Sequence, residues 1–156
     1  MTADGGKVTS RTWADVDVPA AYPNETSLVF APDGTGYCLL RTENRAWLGT
    51  SAPPYKDWKW KETNCYFGGP KMIRLADGRL LGGGRLKGSG GSHTGVVSVD
   101  LDSGKLAEVV RLPSGGDTSY PGMVVHEDTL WMSYYSAHEE KVCIYLARIP
   151  LRELRH

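Results

Sequence analysis

The chain has 156 residues, of which 18 are basic and 18 acidic, so its formal net charge is zero. That length supports one domain with a real core. The scattered, balanced charge excludes a nucleic-acid binder, which needs a basic face for phosphates, and no apolar run reaches the roughly 18 residues of a membrane-spanning helix. The opening Met1-Thr-Ala-Asp-Gly-Gly-Lys7 has no apolar leader core, so the default expectation is a cytoplasmic protein. Nothing in the sequence points to a cofactor.

In chain order, Val8–Val18 comes first and reads as a lone strand. Its Arg11-Thr-Trp-Ala-Asp-Val-Asp-Val-Pro19 resembles two later segments, Trp58-Lys-Trp-Lys-Glu62 and Leu106-Ala-Glu-Val-Val-Arg-Leu-Pro113. Then a pattern of apolar run, tight turn and apolar run is written three times, starting at Ser27, Lys71 and Gly122. No stretch has a helical apolar period, and a short-strand repeat of this length predicts propeller blades. The first blade, residues 25–66, has strands Ser27–Ala31, Gly36–Thr42, Ala46–Ser51 and Trp58–Cys65. Asp33-Gly34 forms its first turn, because those residues tolerate the positive φ of a tight hairpin. The second, residues 69–113, has strands Lys71–Ala76, Arg79–Gly84, Gly95–Leu101 and Lys105–Leu112, with Asp77-Gly78 as its turn. The third, residues 119–151, has only Gly122–His126, Thr129–Ser136 and Val142–Ile149. Residues 1–156 thus read as a single half-propeller domain of all-β class, with the closing strand, 8–18, moved to the front. Propellers have about four to eight blades. The expectation is therefore a homodimer in which 8–18 of one chain completes the last blade of another, giving a six-bladed ring. A piece of a longer single-chain propeller is the alternative.

Two C–D turns carry a further pattern. Ser51-Ala-Pro-Pro-Tyr-Lys-Asp-Trp58 has Ser and Trp seven apart, and Asp100-Leu-Asp-Ser-Gly-Lys-Leu106 has Asp102 and Gly104 two apart. Both resemble the Asp-box (BNR repeat) of sialidases, Ser-x-Asp-x-Gly-x-x-Trp. With Glu25 before the first strand, Arg41 after the second, and Ser119-Tyr-Pro-Gly-Met123 opening the third blade, the chain resembles the C-terminal half of a sialidase-like (neuraminidase) six-bladed propeller. The resemblance spans about Trp13 to Leu151. It implies a glycoside-hydrolase ancestry, with Tyr120 as nucleophile and Glu25 as its proton acceptor. It also implies a substrate-binding set of Arg41, Arg85 and His93, the last standing where the family has an arginine. Guanidinium groups bind a sugar carboxylate bidentately, and a neutral tyrosine approaches an anionic sugar without the repulsion a carboxylate meets. The family's first arginine and its acid/base aspartate belong to the half not represented here. A channel mouth that binds a carbohydrate, with the isolated chain inactive, is the reading that follows; an active sialidase is the alternative.

Other features have plain explanations. Arg85 has a possible salt-bridge partner in Asp117. His93 and His138 titrate near neutrality and qualify as acids or bases. His126-Glu127 and His138-Glu139-Glu140 lack a second pair at metal-site spacing, so no metal is expected. Gly82-Gly-Gly-Arg85 and Lys87-Gly-Ser-Gly-Gly91 lack the Gly-Lys-Ser/Thr of a phosphate loop and read as close-packing glycines. The odd set of cysteines, Cys38, Cys65 and Cys143, has no motif spacing, with Cys38 and Cys143 expected to be buried in strands. Of Tyr134 and Tyr135 only one can face a given side. Trp13, Trp47, Trp58, Trp60 and Trp131 read as inter-blade packing, and Arg152–His156 as a frayed end.

Overall fold

A computed structural model of the chain describes residues 16–154, together with the backbone of a short antiparallel pair, β1 (Ala3–Asp4) and β2 (Lys7–Val8). The rest is three antiparallel meanders. Sheet 1 is β3 (Thr26–Phe30), β4 (Gly36–Leu40), β5 (Trp47–Ser51) and β6 (Lys59–Glu62). Sheet 2 is β7 (Gly68–Arg74), β8 (Leu80–Gly88), β9 (Gly91–Val99) and β10 (Leu106–Arg111). Sheet 3 is β11 (Thr118–His126), β12 (Thr129–Glu139) and β13 (Lys141–Pro150), with no fourth strand among the described residues. Each strand pairs with its sequence neighbour, as a blade requires.

The turns follow local chemistry. The Asp33 and Asp77 side chains accept the amides of Thr35 and Arg79, at 2.9 and 3.1 Å. Gly34 and Gly78 supply φ of 87° and 93° beside them. The third turn uses Glu127 and Asp128, both with positive φ, in a two-residue hairpin.

The sheets stack face to face in two apolar seams. Leu39, Leu48, Phe67, Met72, Leu80 and Val97 are buried between sheets 1 and 2. Leu81, Val96, Leu130, Met132 and Ile149 are buried between sheets 2 and 3. Burial of such side chains contributes about 1.5–3 kcal/mol each. Gly83 allows the second seam to close, since a Cβ there would lie 2.5 Å from Met123 Sδ. The first strands of the sheets are stitched together as well. Ser27 Oγ accepts the Met72 amide at 2.8 Å, and Ser119 Oγ donates to the Gly68 carbonyl at 2.9 Å.

Several expectations need correction. The Val8–Val18 strand is not formed where it can be followed. Val8 pairs with Ala3, residues 9–15 lie outside the described residues, and Val16–Val18 are irregular and rest on the outer face of sheet 1 of their own chain. Trp13 is likewise outside the described residues. The chain end is not frayed through Leu154: Leu151–Leu154 form a 3-10 turn, Leu154 is buried, and Arg79 Nη1 donates to its carbonyl at 2.6 Å. Trp58 and Trp60 stack on each other at 5.7 Å on the outer face of sheet 1, and Trp131 lies under Arg148 on the outer face of sheet 3. Neither outer face meets another blade of this chain. Cys143 is only half-buried, because β13 is an edge strand.

The two box-like turns also differ from expectation. In the first, Tyr55 stands at the glycine place with φ 63°, its carbonyl accepts Trp58 Nε1 at 3.1 Å, and Ser51 Oγ donates to the Asp57 carbonyl at 2.8 Å. In the second, the turn amides of Asp102 and Ser103 donate to Asp100, at 2.9 and 3.2 Å, and not to Asp102.

Candidate functional site

Where the first strands of the three sheets begin, each sheet supplies one part of a polar cluster. Glu25 precedes β3 and Arg41 follows β4. Their backbones pair (Arg41 amide to Glu25 carbonyl, 2.8 Å), which brings the side chains together. Arg41 Nη1 donates to Glu25 Oε1 at 2.7 Å. From sheet 2, the Gly69 amide donates to Glu25 Oε2 at 2.7 Å. From sheet 3, the Tyr120 hydroxyl donates to Glu25 Oε1. Tyr120 sits in an irregularity of β11 between Ser119 and Gly122, with φ 48° and 56% of its surface exposed. A positive φ at a bulky aromatic is costly and is held only where surroundings enforce it. Here it aims the phenol at Glu25.

Arg85, on β8, borders this cluster. Its Nη1 lies 3.2 Å from Asp117 Oδ1, and the Tyr135 hydroxyl donates to the same oxygen at 2.7 Å. Tyr135 stacks on Tyr120 with ring centroids 6.1 Å apart. Tyr66 lies beneath two cations, with Arg41 Cζ 5.6 Å and Lys87 Nζ 4.0 Å from its ring centroid.

The electrostatics follow from these contacts. Burial pushes the Glu25 carboxyl up, but hydrogen bonds from Arg41, Tyr120 and Gly69 outweigh it and hold the group below its usual range. Tyr120 is raised, first by its hydrogen bond to the Glu25 anion and then by burial, against the opposing charges of Arg41 and Arg85. Arg41 is raised by the same carboxylate. Tyr135 is pushed up to about 12 by burial and by its hydrogen bond to Asp117. In the resting site the shared proton therefore stays on Tyr120, with Glu25 ionised. The Nε atoms of Arg41 and Arg85 are buried without a hydrogen-bond partner.

The expected residues Glu25, Arg41, Tyr120 and Arg85 thus come together, and Arg85 also takes the Asp117 salt bridge named as its plainer alternative. His93 does not join them. It is 2% exposed, and its Nε2 lies 2.9 Å from Glu108 Oε1 on the neighbouring strand of sheet 2, so no ligand reaches it. His138 is engaged with Ser136 Oγ at 2.8 Å and packs on Tyr145. No group of three or more His, Cys, Asp or Glu side chains suited to a metal occurs among the described residues. Sequence reasoning missed Tyr66, Lys87 and the role of Tyr135. Only Tyr135 carried a signal, since alternation along β12 buries Tyr134 and turns its neighbour to the other face.

No family model matches the chain, and no curated protein matches it. Solved structures do. The Bacteroides ovatus xyloglucan PUL GH43B aligns with TM-score 0.57 at 14% identity, over 81% of this chain and 26% of its own. A xylan β-1,4-xylosidase from Bacillus halodurans C-125 aligns with TM-score 0.60 at 14% identity, over 85% of this chain and 29% of its own. A thermostable family-43 glycoside hydrolase aligns with TM-score 0.64 at 11% identity, over 92% of this chain and 53% of its own. The fold is a propeller-like glycoside-hydrolase fold. At these identities the likeness concerns the fold alone, and the chain spans no more than 53% of any of these three structures.

Proposed function

We propose that this chain is a propeller half of sialidase type, and that the cluster around Glu25 is a binding site for an anionic sugar. The observation that carries the reading is the shared carboxylate: Glu25 accepts hydrogen bonds from Arg41 and Tyr120, which arrive from different sheets. A tyrosine aimed at a carboxylate has a proton acceptor in place, which is what a phenol needs to act as a nucleophile. Arg41 uses Nη1 on Glu25, and Arg85 uses Nη1 on Asp117. Both Nε atoms are buried, which leaves Nη2 of each guanidinium to meet a ligand carboxylate.

The same geometry links binding to proton transfer. With Arg41 on Glu25, the carboxylate is a weak base and Tyr120 keeps its proton. A sugar carboxylate that draws Arg41 away removes a hydrogen bond that holds Glu25 low. Glu25 then becomes a better acceptor for the Tyr120 proton when the ligand is present. Bond cleavage further requires an acid for the leaving group, which the resemblance assigns to the other half of the ring.

The test is equilibrium binding of sialic acid, paired with a fluorogenic sialoside assay. Binding that is lost in Arg41→Met and kept in His93→Gln supports the reading. Turnover that disappears in Tyr120→Phe assigns the nucleophile. A wild-type protein that binds no sialic acid, or an Arg41→Met variant that binds it equally well, overturns the site.

A further inference from the structure

We infer that the two outer faces of the three-sheet arc are a docking surface for a second copy of this chain, joined head to tail into a closed ring. The argument starts from register. In sheet 1, Val29 pairs with Tyr37 and faces sheet 2; in sheet 2, the equivalent pair, Ile73 and Leu81, faces sheet 3. The third member of this series is Val124 with Trp131, and no other sheet among the described residues faces it. The complementary series runs the other way. Met72 with Gly82 meets sheet 1, Met123 with Met132 meets sheet 2, and the remaining member, Leu28 with Cys38, lies on the outer face of sheet 1. Each outer face is therefore the counterpart of one already buried in a seam, and the sheet 1 face is covered only in part, by Val16 and Val18 of its own chain.

Most of the exposed large apolar side chains fall on these two faces, with Tyr22, Tyr120 and Val125 elsewhere. Leu28 and Phe30 are 51% and 54% exposed on sheet 1, and Ile144 and Leu146 are 77% and 63% exposed on sheet 3. Exposed, contiguous apolar surface of this kind marks an interaction site. On sheet 3 it runs along the edge strand β13, where unpaired backbone groups add to the need for cover. On sheet 1 a wholly apolar cavity of about 190 Å³ between Val18, Leu28, Trp58 and Trp60 offers room for an aliphatic side chain. Arg148, stacked on Trp131, stands on the sheet 3 face, and Glu62, paired with Arg45 at 3.4 Å, stands on the sheet 1 face. The series is directional, so a face of one kind needs a face of the other. A second copy supplies both at once, and two such contacts related by a twofold axis leave no face open.

The experiment is light scattering behind a sizing column on three proteins: the wild type, a sheet 3 variant (Ile144→Asp with Leu146→Asp) and a sheet 1 variant (Leu28→Asp with Phe30→Asp). All four positions are more than half exposed, so folding is retained, and circular dichroism checks it. The wild type is expected at the mass of two chains. Each variant is expected to dissociate about a hundredfold more readily, given the apolar area each loses. An equimolar mixture of the two variants retains one intact contact and is expected to recover heterodimers. A monomeric wild type overturns the proposal, as does a variant that dimerises like the wild type or a mixture that recovers nothing. The first of these outcomes leaves the outer faces to the remainder of a longer propeller.

Discussion

Glu25 with Arg41 and Glu108 with His93 each pair a carboxylate with a nitrogen base, yet they stand in opposite settings. The first lies where three sheets meet, and each sheet contributes a donor to one carboxylate. The second joins neighbouring strands of a single sheet, with the imidazole closed off from solvent. The difference shows what a junction between blades provides. Groups delivered from separate sheets converge at a rim that remains open, whereas inside one sheet the imidazole is packed over, with its Nδ1 buried and without a hydrogen-bond partner. Close contact is common to both; only the junction leaves room for a ligand.

The comparison can be tested by substitution, taken in order of effect on stability. His93→Ala removes a buried ring and is expected to cost about 2–4 kcal/mol. Denaturant unfolding measures this. Sugar affinity should not change, and if it falls in the folded variant the contrast between the two pairs is wrong.

Glu25→Gln is expected to cost about 1–2 kcal/mol near neutral pH and to leave anionic-sugar binding in place, since the ligand draws Arg41 away from Glu25. It also has a pH signature. Because the folded carboxyl lies below its usual range, its stabilisation is complete above the ordinary carboxylate pKa and fades as pH falls through the lowered folded value. Unfolding midpoints followed into acid should decline less steeply for Glu25→Gln than for the wild type; parallel declines would show that Glu25 contributes nothing there.

Tyr135→Phe deletes the hydrogen bond to Asp117 and is expected to cost about 0.5–1.5 kcal/mol. In an alkaline absorbance titration the wild type should contain two phenols that ionise near 12, Tyr135 and Tyr145, and the variant only one. Lys87→Met should move stability least, by about 0.5 kcal/mol. It should nonetheless weaken binding of an anionic sugar and spare a neutral one, measured by parallel titrations. His93→Ala thus costs the most stability with no effect on binding, and Lys87→Met costs the least with a loss of binding, which is the sharpest form of the comparison.

Much of the blade pattern is legible in the chain itself. Alternation and Asp-Gly turns locate β3, β4, β7 and β8 within a few residues, since a hairpin's register follows from its turn. Glu25, Arg41 and Tyr120 are legible only through resemblance, because nothing in their spacing shows that blade starts converge. His93 was misplaced for a related reason. A histidine near a strand start looks like a loop ligand until Glu108, fifteen positions later in the chain, closes over it. Tyr66 and Lys87 carry no local signal, as their meeting depends on the extension of β8 past Arg85.

The sequence by itself determined that the chain is all-β, that its strands repeat as blades, and where the turns fall, because these depend on side-chain alternation and on backbone preferences within a few residues. Only the tertiary structure decided which carboxylate gathers the site, which histidine is sealed and which sheet faces remain open. Those outcomes depend on how the sheets stack, and stacking is set by contacts between residues far apart along the chain.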